Sequence, residues 1–410
     1  MLENKQRDMT PFDMKKPPMK QKWYLMPLMW GGSWLMTRQF ELKITKKNME
    51  GIKPPFLVIS THQGFSDYYI TPLALFPYRA NYVSDMEGFA AFGEWLYRAI
   101  GCIGKRRYVP DAMVVKNIKR AIDMGQAVVV YPESRHSNVG TTAYIPSNLG
   151  KLVKMMKVPM VILSAHGSYL ANPFWDEEHT RKVPMEATLE GVFTAEEVKA
   201  LPACDIQKVI EEKLQYDEYE WQRENNILIT EPKRAEGLHK ALYQCKKCGT
   251  EFGMKSKEAQ LYCTSCNAQW ELTPHGFLQE KASLETEKRE VHIPDWYEWQ
   301  RMQVIKEIKA GKYEYEFNVR VEALPNAKGF IPLGAGKLIH TEKGFKLMIN
   351  NQKLAFDHAS RESVQTEYNY RGKGTCIVLS NKDCCYYIYS EAENFNPTKI
   401  QFAGEYFYSK

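Results

Sequence analysis

The sequence predicts an α/β protein whose mostly parallel sheet, flanked by helices, is followed by a small cysteine-bearing module and an antiparallel β domain. Three observations lead to this prediction. Between residues 55 and 166, short β-branched runs alternate with amphipathic stretches of helical length. Two closely spaced cysteine pairs follow within residues 245–266. After about residue 311, seven short alternating segments are separated by Gly, Asn and Lys turns.

The first part of the chain supplies the predicted parallel sheet. Four apolar runs have the composition of buried strands: 55–61, 80–85, 127–133 and 158–166. Helical periodicity falls between them, at 67–76, 89–100, 112–125 and 148–157. Strands that alternate with helices in this way form parallel sheets. Thr194 and Glu197 have the spacing of a capping box, which predicts a helical tail up to about residue 226.

Changes in composition divide the 410 residues into four parts. Residues 1–50 form a basic, amphipathic N-terminal segment, and residues 51–240 hold the α/β sheet. Residues 241–275 carry the paired cysteines, and residues 290–410 hold a helix and a β-rich domain. The seven alternating segments of the last part predict an antiparallel barrel or sandwich, with KIQFAGEYFY (399–408) as its final strand.

The charge of the chain is concentrated at one end. The 55 basic and 49 acidic residues give a net charge of +6, but residues 1–120 hold 19 basic and 10 acidic residues, a net +9. A basic segment of this kind faces an anionic partner such as a phosphate substrate, a lipid surface or nucleic acid. The polar N-terminus lacks the apolar region of a cleavable signal peptide, so we expect the nine cysteines to lie in a reducing cytoplasm.

The apolar run from Trp23 to Met36 is too short to cross a bilayer. Its 14 residues, interrupted by Pro27 and Gly31-Gly32, extend about 21 Å as a helix, whereas a hydrocarbon core measures about 30 Å. Four lysines precede it, at positions 15, 16, 20 and 22. Aromatic residues beside lysines are typical of a segment that lies in a membrane interface. A core helix packed on the following domain is the alternative.

The cysteine pairs are the most specific motif of the sequence. Two C-x-x-C knuckles lie 14 residues apart, a spacing typical of the zinc ribbon, in which four thiolates close a tetrahedral structural Zn²⁺ site. The predicted ligands are Cys245, Cys248, Cys263 and Cys266. Reduced, unligated cysteines are the alternative. The other five cysteines (Cys102, Cys204, Cys376, Cys384 and Cys385) lack ligand spacing, and we expect them to be buried. Zinc ribbons serve nucleic-acid binding, protein docking or scaffolding, so this motif leaves the function open.

A histidine and an aspartate stand where the first buried strand ends and a helix begins. Ligand and catalytic groups collect at the carboxyl ends of parallel strands. On one helix, His62 and Asp67 would point about 140° apart, so they meet only if His62 lies on the turn before the helix, which Gly64 permits. There the carboxylate would fix the imidazole tautomer and make the other nitrogen a better base. Packing or helix capping is the alternative role of such a pair.

Two further clusters follow strand ends. Glu133, Arg135 and His136 crowd a loop after an apolar strand, where they need a polar ligand or a partner charge; a solvated loop with a Glu–Arg pair is the alternative. Lys105, Arg106 and Arg107 follow two glycines, a pattern that suits a phosphate, although a solvated turn is the alternative. The last strand, 158–166, ends in His166, which we rank below these candidates.

Taken in order, these four segments, which span about residues 23–176, resemble the glycerolipid acyltransferases. That family carries an N-H-x-x-x-x-D block, a G-x-I-x-x-x-R block, a P-E-G-T-R-S block and a V-P strand. Thr61 stands where the family has Asn, and Ser134, Arg135 and His136 stand where it has Gly-Thr-Arg. The phosphate-binding Arg of the family has therefore moved to Arg135 or been replaced.

The resemblance implies direct acyl transfer from acyl-CoA or acyl carrier protein to a hydroxyl of a lysophospholipid or glycerol phosphate. His62 would take the proton from the hydroxyl, Asp67 would steady the imidazolium, and nearby backbone amides would stabilise the oxyanion. The three cations at 105–107, together with Arg135, would bind the acceptor phosphate, and Glu133 would bind acceptor hydroxyls. The resemblance also implies a cytoplasmic enzyme, peripherally attached to the inner face of the membrane, that acylates 1-acylglycerol-3-phosphate.

A zinc-ribbon adaptor that binds nucleic acid or protein without catalysis is the rival interpretation. Two features oppose it, and we expect no nucleic-acid partner. The basic residues surround the H-x-x-x-x-D segment rather than the ribbon, and the Trp-rich run at 23–36 suits lipid better than a phosphate backbone. The C-terminal β domain weakly resembles small PH-like barrels through residues 334–338 and the hairpin at Gly344, and it shows no catalytic cluster.

Overall fold

The computed structural model describes residues 8–176, 178–281, 290–350 and 352–410. The first seven residues of the predicted N-terminal segment therefore lie outside the described residues, as does the stretch from 282 to 289 that leads into the C-terminal part. The described residues form three sheets.

The first sheet has seven strands in the order β1-β7-β6-β2-β5-β3-β4. Every neighbouring pair is parallel except β6–β7, so the prediction of a mostly parallel sheet is confirmed. The strands are β1 (Lys43–Lys47), β2 (Leu57–Ser60), β3 (Ala80–Asp85), β4 (Cys102–Lys105), β5 (Ala127–Val130), β6 (Met160–His166) and β7 (Glu186–Phe193). The central strands β2 and β5 are buried along their whole length because helices cover both faces of the sheet.

Ten helices accompany this sheet. They are α1 (Met26–Thr37), α2 (Asp67–Ala74), α3 (Met86–Phe92), α4 (Glu94–Ala99), α5 (Ala112–Asp123), α6 (Leu149–Met156), α7 (Ser168–Ala171), α8 (Ala195–Ala200), α9 (Ala203–Lys213) and α10 (Glu218–Glu224). The single helix predicted at 89–100 is divided at Gly93, whose φ of 81° lies in the left-handed region. The capping box of Thr194 and Glu197 is present and begins α8. The sheet itself starts at β1, earlier in the chain than the predicted boundary at residue 51.

Helix α1 holds most of the apolar run at 23–36, after a turn of 3-10 helix at Trp23–Leu25. Its buried residues are Met26, Ser33 and Thr37, whereas Leu28 and Trp34 are exposed. The face turned to the domain is therefore the more polar one, the reverse of a core helix. Among the residues described, no helix is long and apolar enough to cross a membrane.

The cysteine-bearing module begins with a short helix and continues as a five-stranded antiparallel sheet in the order β12-β11-β10-β9-β8. Its elements are α11 (Leu238–Ala241), β8 (Met254–Lys257), β9 (Gln260–Cys263), β10 (Gln269–Leu272), β11 (Leu278–Glu280) and β12 (Glu290–Val291). Within this module, the rings of Tyr243 and Phe252 stack 5.6 Å apart. Trp270 packs edge-on against Trp296 of the next helix at 4.8 Å, which joins the module to the C-terminal domain.

The C-terminal domain is a seven-stranded antiparallel sheet with the strand order β16-β15-β14-β13-β19-β18-β17. One helix precedes these strands in the chain and another follows them. The prediction of an antiparallel β domain is confirmed, and the linear strand order describes a half-barrel. Its elements are α12 (Ile293–Lys309), β13 (Tyr315–Leu324), β14 (Ile331–Thr341), β15 (Gly344–Ile349), β16 (Gln352–Phe356), β17 (Gln365–Glu367), β18 (Cys376–Ser380), β19 (Cys385–Tyr389) and α13 (Pro397–Tyr408).

The prediction of a final strand at 399–408 is wrong, because this segment belongs to helix α13. The side chain of Asn396 accepts a hydrogen bond from the Lys399 amide and caps the helix, and Pro397 occupies its first position. Apolar residues at 400, 403 and 407 face the core at helical spacing. The seventh strand is instead β17, a three-residue segment too short to stand out in the sequence.

The C-terminal domain packs against the carboxyl end of the first sheet. The Arg106 guanidinium donates to the carbonyl oxygens of Pro325 and Asp383 at 3.4 and 3.2 Å. Arg135 forms an ion pair with Glu405 of α13 at 3.4 Å. All three charged side chains are largely buried in this contact, so the loops that follow β4 and β5 are held between the two domains.

Candidate active site

The histidine and aspartate of the H-x-x-x-x-D segment lie in contact. His62 lies on the turn between β2 and α2, and Asp67 is the first residue of α2. The His62 Nδ1 is 3.2 Å from the Asp67 Oδ2, and both side chains are buried. The amides of Gln63 and Gly64 donate to the same carboxylate oxygen at 2.7 and 3.1 Å. The turn before the helix thus brings together two side chains that a continuous helix would separate.

This contact fixes the chemistry available to the imidazole. Because a carboxylate only accepts, the His62 Nδ1 carries the hydrogen, and Nε2 is left with a free lone pair. The ring also lies 4.5 Å from the rings of Tyr131 and His136. Burial holds the pKa of His136 well below its usual value, so this neighbouring ring is neutral.

Glu133 is buried beneath the site and accepts hydrogen bonds from the backbone around it. It is 1% exposed, and it accepts from the His62 amide at 2.9 Å, from the Ala143 amide at 2.7 Å and from the Tyr216 hydroxyl at 3.1 Å. Burial raises the pKa of Glu133 to about 7, against the lowering effect of these hydrogen bonds. With its oxygens engaged in this way, Glu133 does not occupy the acceptor-binding position predicted for it.

Two of the three consecutive cations face the histidine. A cavity of about 40 Å³ next to His62 is lined by Lys105, Arg107, Tyr68 and Ser134, among others. The Lys105 ammonium donates to the Ser134 hydroxyl at 2.6 Å, and Arg107 forms an ion pair with Asp85. Burial lowers the pKa of Lys105 to about 8. The cavity thus places positive charge beside the imidazole.

Arg106 and Arg135, both predicted to bind substrate, lie elsewhere. The Arg106 guanidinium donates hydrogen bonds to carbonyl oxygens of the C-terminal domain, and Arg135 forms an ion pair with Glu405 on α13. Both are buried at the domain contact. Strand geometry explains the first case: successive side chains at the end of β4 point to opposite faces, so Lys105 and Arg107 share one face and Arg106 takes the other.

The structure adds residues to the site that the sequence analysis missed. Asp85, which ends β3, holds Arg107 and also caps helix α3 through the amides of Glu87 and Gly88. Its position at the carboxyl end of a parallel strand is the signal that could have identified it. The amides of Gln63 and Gly64, in contrast, already donate to Asp67 and are not available to an oxyanion.

The four cysteines of the two knuckles converge in the second module. Their Sγ atoms all lie within 4.8 Å of one another, and the Cys245–Cys266 and Cys248–Cys263 pairs are each 3.8 Å apart. Four sulfurs around one metal at about 2.3 Å lie about 3.8 Å apart in a tetrahedron, so this cluster fits a single metal ion. The prediction that the other five cysteines are buried is wrong for Cys204, which is exposed.

Comparison with known proteins agrees with the geometry of the first domain. Residues 43–165, just under a third of the chain, match the family model described as Acyltransferase, so this part of the chain is an acyltransferase domain. The crystal structure of the 1-acyl-sn-glycerophosphate (LPA) acyltransferase PlsC from Thermotoga maritima is a distant structural neighbour. It is 15% identical, with a TM-score of 0.38, over 46% of this chain and 76% of that chain. None of the curated proteins compared matches the chain significantly.

The raised pKa of Glu133 predicts a pH dependence of stability. Between the ordinary carboxyl value of 4.5 and about 7, the folded state binds a proton that the unfolded state has released. The free energy of unfolding should therefore fall by about 3 kcal/mol as pH rises through this window and level off above it. Urea unfolding at several pH values should show this fall in the wild type and a shallower one in Glu133→Gln.

The exposed Glu196 supplies the control, since Glu196→Gln should keep the wild-type pH dependence. Equal slopes for the wild type and Glu133→Gln would show that the folded state does not raise the pKa of this carboxyl.

Proposed function

We propose that this chain transfers a fatty acyl group from a thioester donor to the hydroxyl of a lysophospholipid or glycerol phosphate, with 1-acylglycerol-3-phosphate as the leading acceptor. The observation that carries the proposal is the His62–Asp67 contact beside Lys105 and Arg107. It combines a base and a positive phosphate site at one cavity with a carboxylate that orients the base from the other side of its ring. The acyltransferase match at residues 43–165 includes all of these residues.

The chemistry follows from the free nitrogen of His62. Nε2 accepts the proton of the acceptor hydroxyl as its oxygen attacks the thioester carbonyl, and Asp67 stabilises the imidazolium through Nδ1–H. Collapse of the tetrahedral intermediate breaks the C–S bond, and the proton on Nε2 passes to the departing thiolate. No covalent acyl-enzyme intermediate is needed.

The two cations of the cavity select the acceptor. Lys105 can turn its ammonium from the Ser134 hydroxyl to a phosphate oxygen, and the Arg107 guanidinium retains donors beyond those that contact Asp85. A phosphate bound there lies next to His62, as the acyl acceptor of this reaction requires. The donor is acyl-CoA or acyl carrier protein, and the enzyme works as a cytoplasmic protein at the inner face of the membrane, a location supported by the exposed apolar face of α1.

The cysteine cluster is proposed to hold structural zinc. Four cysteine thiolates complete the coordination shell of Zn²⁺ and leave no position for substrate. When bound, zinc would join the two knuckles. Trp270, which follows the second knuckle, packs against Trp296 of α12 and so connects the ribbon to the C-terminal domain.

Replacement of His62 tests the catalytic proposal. His62→Ala should lower kcat by about 10²–10⁴-fold, because it removes the general base while leaving the fold intact. The assay follows transfer of a radiolabelled acyl group from its thioester to lysophosphatidic acid. His166→Ala is a matched control, because His166 also contacts a carboxylate, that of Glu218 at 2.8 Å, outside the cavity.

Activity of His62→Ala within about tenfold of the wild type would defeat the assignment. Absence of product from the wild-type protein, together with salt-sensitive nucleic-acid binding, would favour the adaptor interpretation.

Replacement of Lys105 tests the phosphate site. Lys105→Met should raise the KM for a phosphate-bearing acceptor about tenfold or more with a small change in kcat, since a charge-assisted contact is lost. In the wild type, KM should rise as pH passes about 8, where Lys105 loses its charge. Lys116→Met, at an exposed position on α5, should leave both constants unchanged. An unchanged KM in Lys105→Met would remove this lysine from the site.

Metal analysis tests the ribbon. The purified protein should contain about one zinc ion per chain, and Cys263→Ser should lose it, because three thiolates bind zinc more weakly than four. Cys204→Ser, at an exposed cysteine away from the cluster, should retain the metal. A metal-free wild type that stays fully folded would contradict the structural role.

A further inference from the structure

Exposed apolar side chains are concentrated in one part of the described chain. Of its 15 large hydrophobic residues with high exposure, 11 lie between residues 23 and 96, and the other four are scattered. Isolated exposed apolar residues are normal, whereas a concentration of them marks an interaction surface. Helix α1 accounts for only some of these residues, because a second group lies on α3 and α4.

We propose that Phe92, Trp95 and Leu96, here named the α3–α4 patch, form a second membrane anchor that works with α1 to seat the catalytic cavity on an anionic lipid surface. Phe92 and Trp95 are 63% and 64% exposed on two short helices divided at Gly93. The division turns both side chains outward at a bend. The proposal rests on the proposed function, since it assigns the lipid-facing side of the same enzyme.

The patch adjoins one wall of the catalytic cavity. The ring of Phe92 stacks on Tyr97 at 5.7 Å, and the Tyr97 hydroxyl is 2.8 Å from the hydroxyl of Ser84. Ser84 and the neighbouring Asp85, which caps α3, both line the cavity next to His62. Two steps of contact thus lead from the α3–α4 patch to the cavity.

The α1 side adjoins another wall. Helix α1 packs against α2, and the ring of Trp30 lies 4.7 Å from that of Phe76 at the end of α2. At the start of α2, the exposed Phe65 contacts Tyr68, which lines the cavity. Exposed apolar residues therefore border the cavity on its α2 side as well as on its α3–α4 side. A bilayer that bound both groups of residues would contact the protein on two sides of the cavity.

Charge identifies the partner as an anionic bilayer rather than a second protein copy. The segment that joins the two sides carries exposed Lys15, Lys16 and Lys20. It runs along α4, where Lys16 pairs with Glu94 and the Lys22 amide donates to the Ala99 carbonyl. Cations placed between two apolar patches match a surface of acyl chains beneath anionic headgroups. The same charge on a second copy would be repelled.

Vesicle sedimentation with the full-length protein tests the proposal. The probe is vesicles of phosphatidylcholine with about a quarter phosphatidylglycerol. The double variant Phe92→Ser, Trp95→Ser should bind at least tenfold more weakly than the wild type, a loss that corresponds to about 55 Å² of apolar surface kept in water. Trp95→Ser alone, which spares the Phe92–Tyr97 stack, should show a smaller loss in the same direction.

The matched control is Met155→Ser, Leu228→Ser, which removes two apolar side chains that are more than half exposed but lie outside the concentration at residues 23–96. This variant should bind like the wild type. Acyl transfer to a short-chain acceptor that is monomeric in solution separates this proposal from the proposed function. The patch variants should keep that activity while they lose vesicle binding. Three results would overturn the proposal. The wild-type protein could fail to bind the vesicles, or the patch variants could bind them as well as the wild type does. The third is a wild-type protein that is a dimer in solution and patch variants that are monomers.

Discussion

A single carboxylate oxygen of Asp67 organises the turn at the carboxyl end of β2. It accepts from the His62 imidazole and from the amides of Gln63 and Gly64, so one acceptor closes the turn after β2 and fixes the ring that follows the strand. Hydrogen bonds from backbone amides offset part of the cost of burying a carboxylate. Because the same oxygen holds the turn and the ring, a change in either moves the other.

Glu133 extends this constraint to two more segments. Its two oxygens connect the His62 amide with the loop at Ala143 and with the hydroxyl of Tyr216, which lies just before α10. Glu133 therefore links three segments by hydrogen bonds: the turn after β2, the loop at Ala143 and the loop before α10. Removal of the Glu133 carboxyl group would leave these buried donors without acceptors, which is costly in a protein interior. The sequence analysis expected a substrate ligand because charge at a strand end suits either role, and only the contacts distinguish them.

Local pattern explains which parts of the molecule could be predicted. The strands β2, β5 and β6 were predictable because parallel strands that are buried along most of their length are continuous apolar runs. The His62–Asp67 contact followed from spacing and Gly64. Helix α13 was missed because its apolar residues at 400 and 402 also alternate as in a strand, and only Asn396 and Pro397 signal its start. Arg135 could not be placed, since its partner Glu405 lies 270 residues away on that helix.

Ser134 shows how one residue separates the two sides of the site. Its φ of 58° lies in the left-handed region, where the related acyltransferases have the glycine that suits this conformation. A serine there bears some backbone strain but supplies a hydroxyl to Lys105, which glycine cannot. The reversal of the chain at this residue leaves Glu133 under His62 and turns Arg135 toward α13.

One wall of the cavity is thus tied to the C-terminal domain by buried charges, whereas α2 and α3–α4 carry exposed apolar residues. A lipid acceptor needs more room than a cavity of about 40 Å³ offers. The α3 side is held to the C-terminal domain, because Glu87 accepts hydrogen bonds from Gln365 and Tyr387, so we expect the α2 side to provide that room.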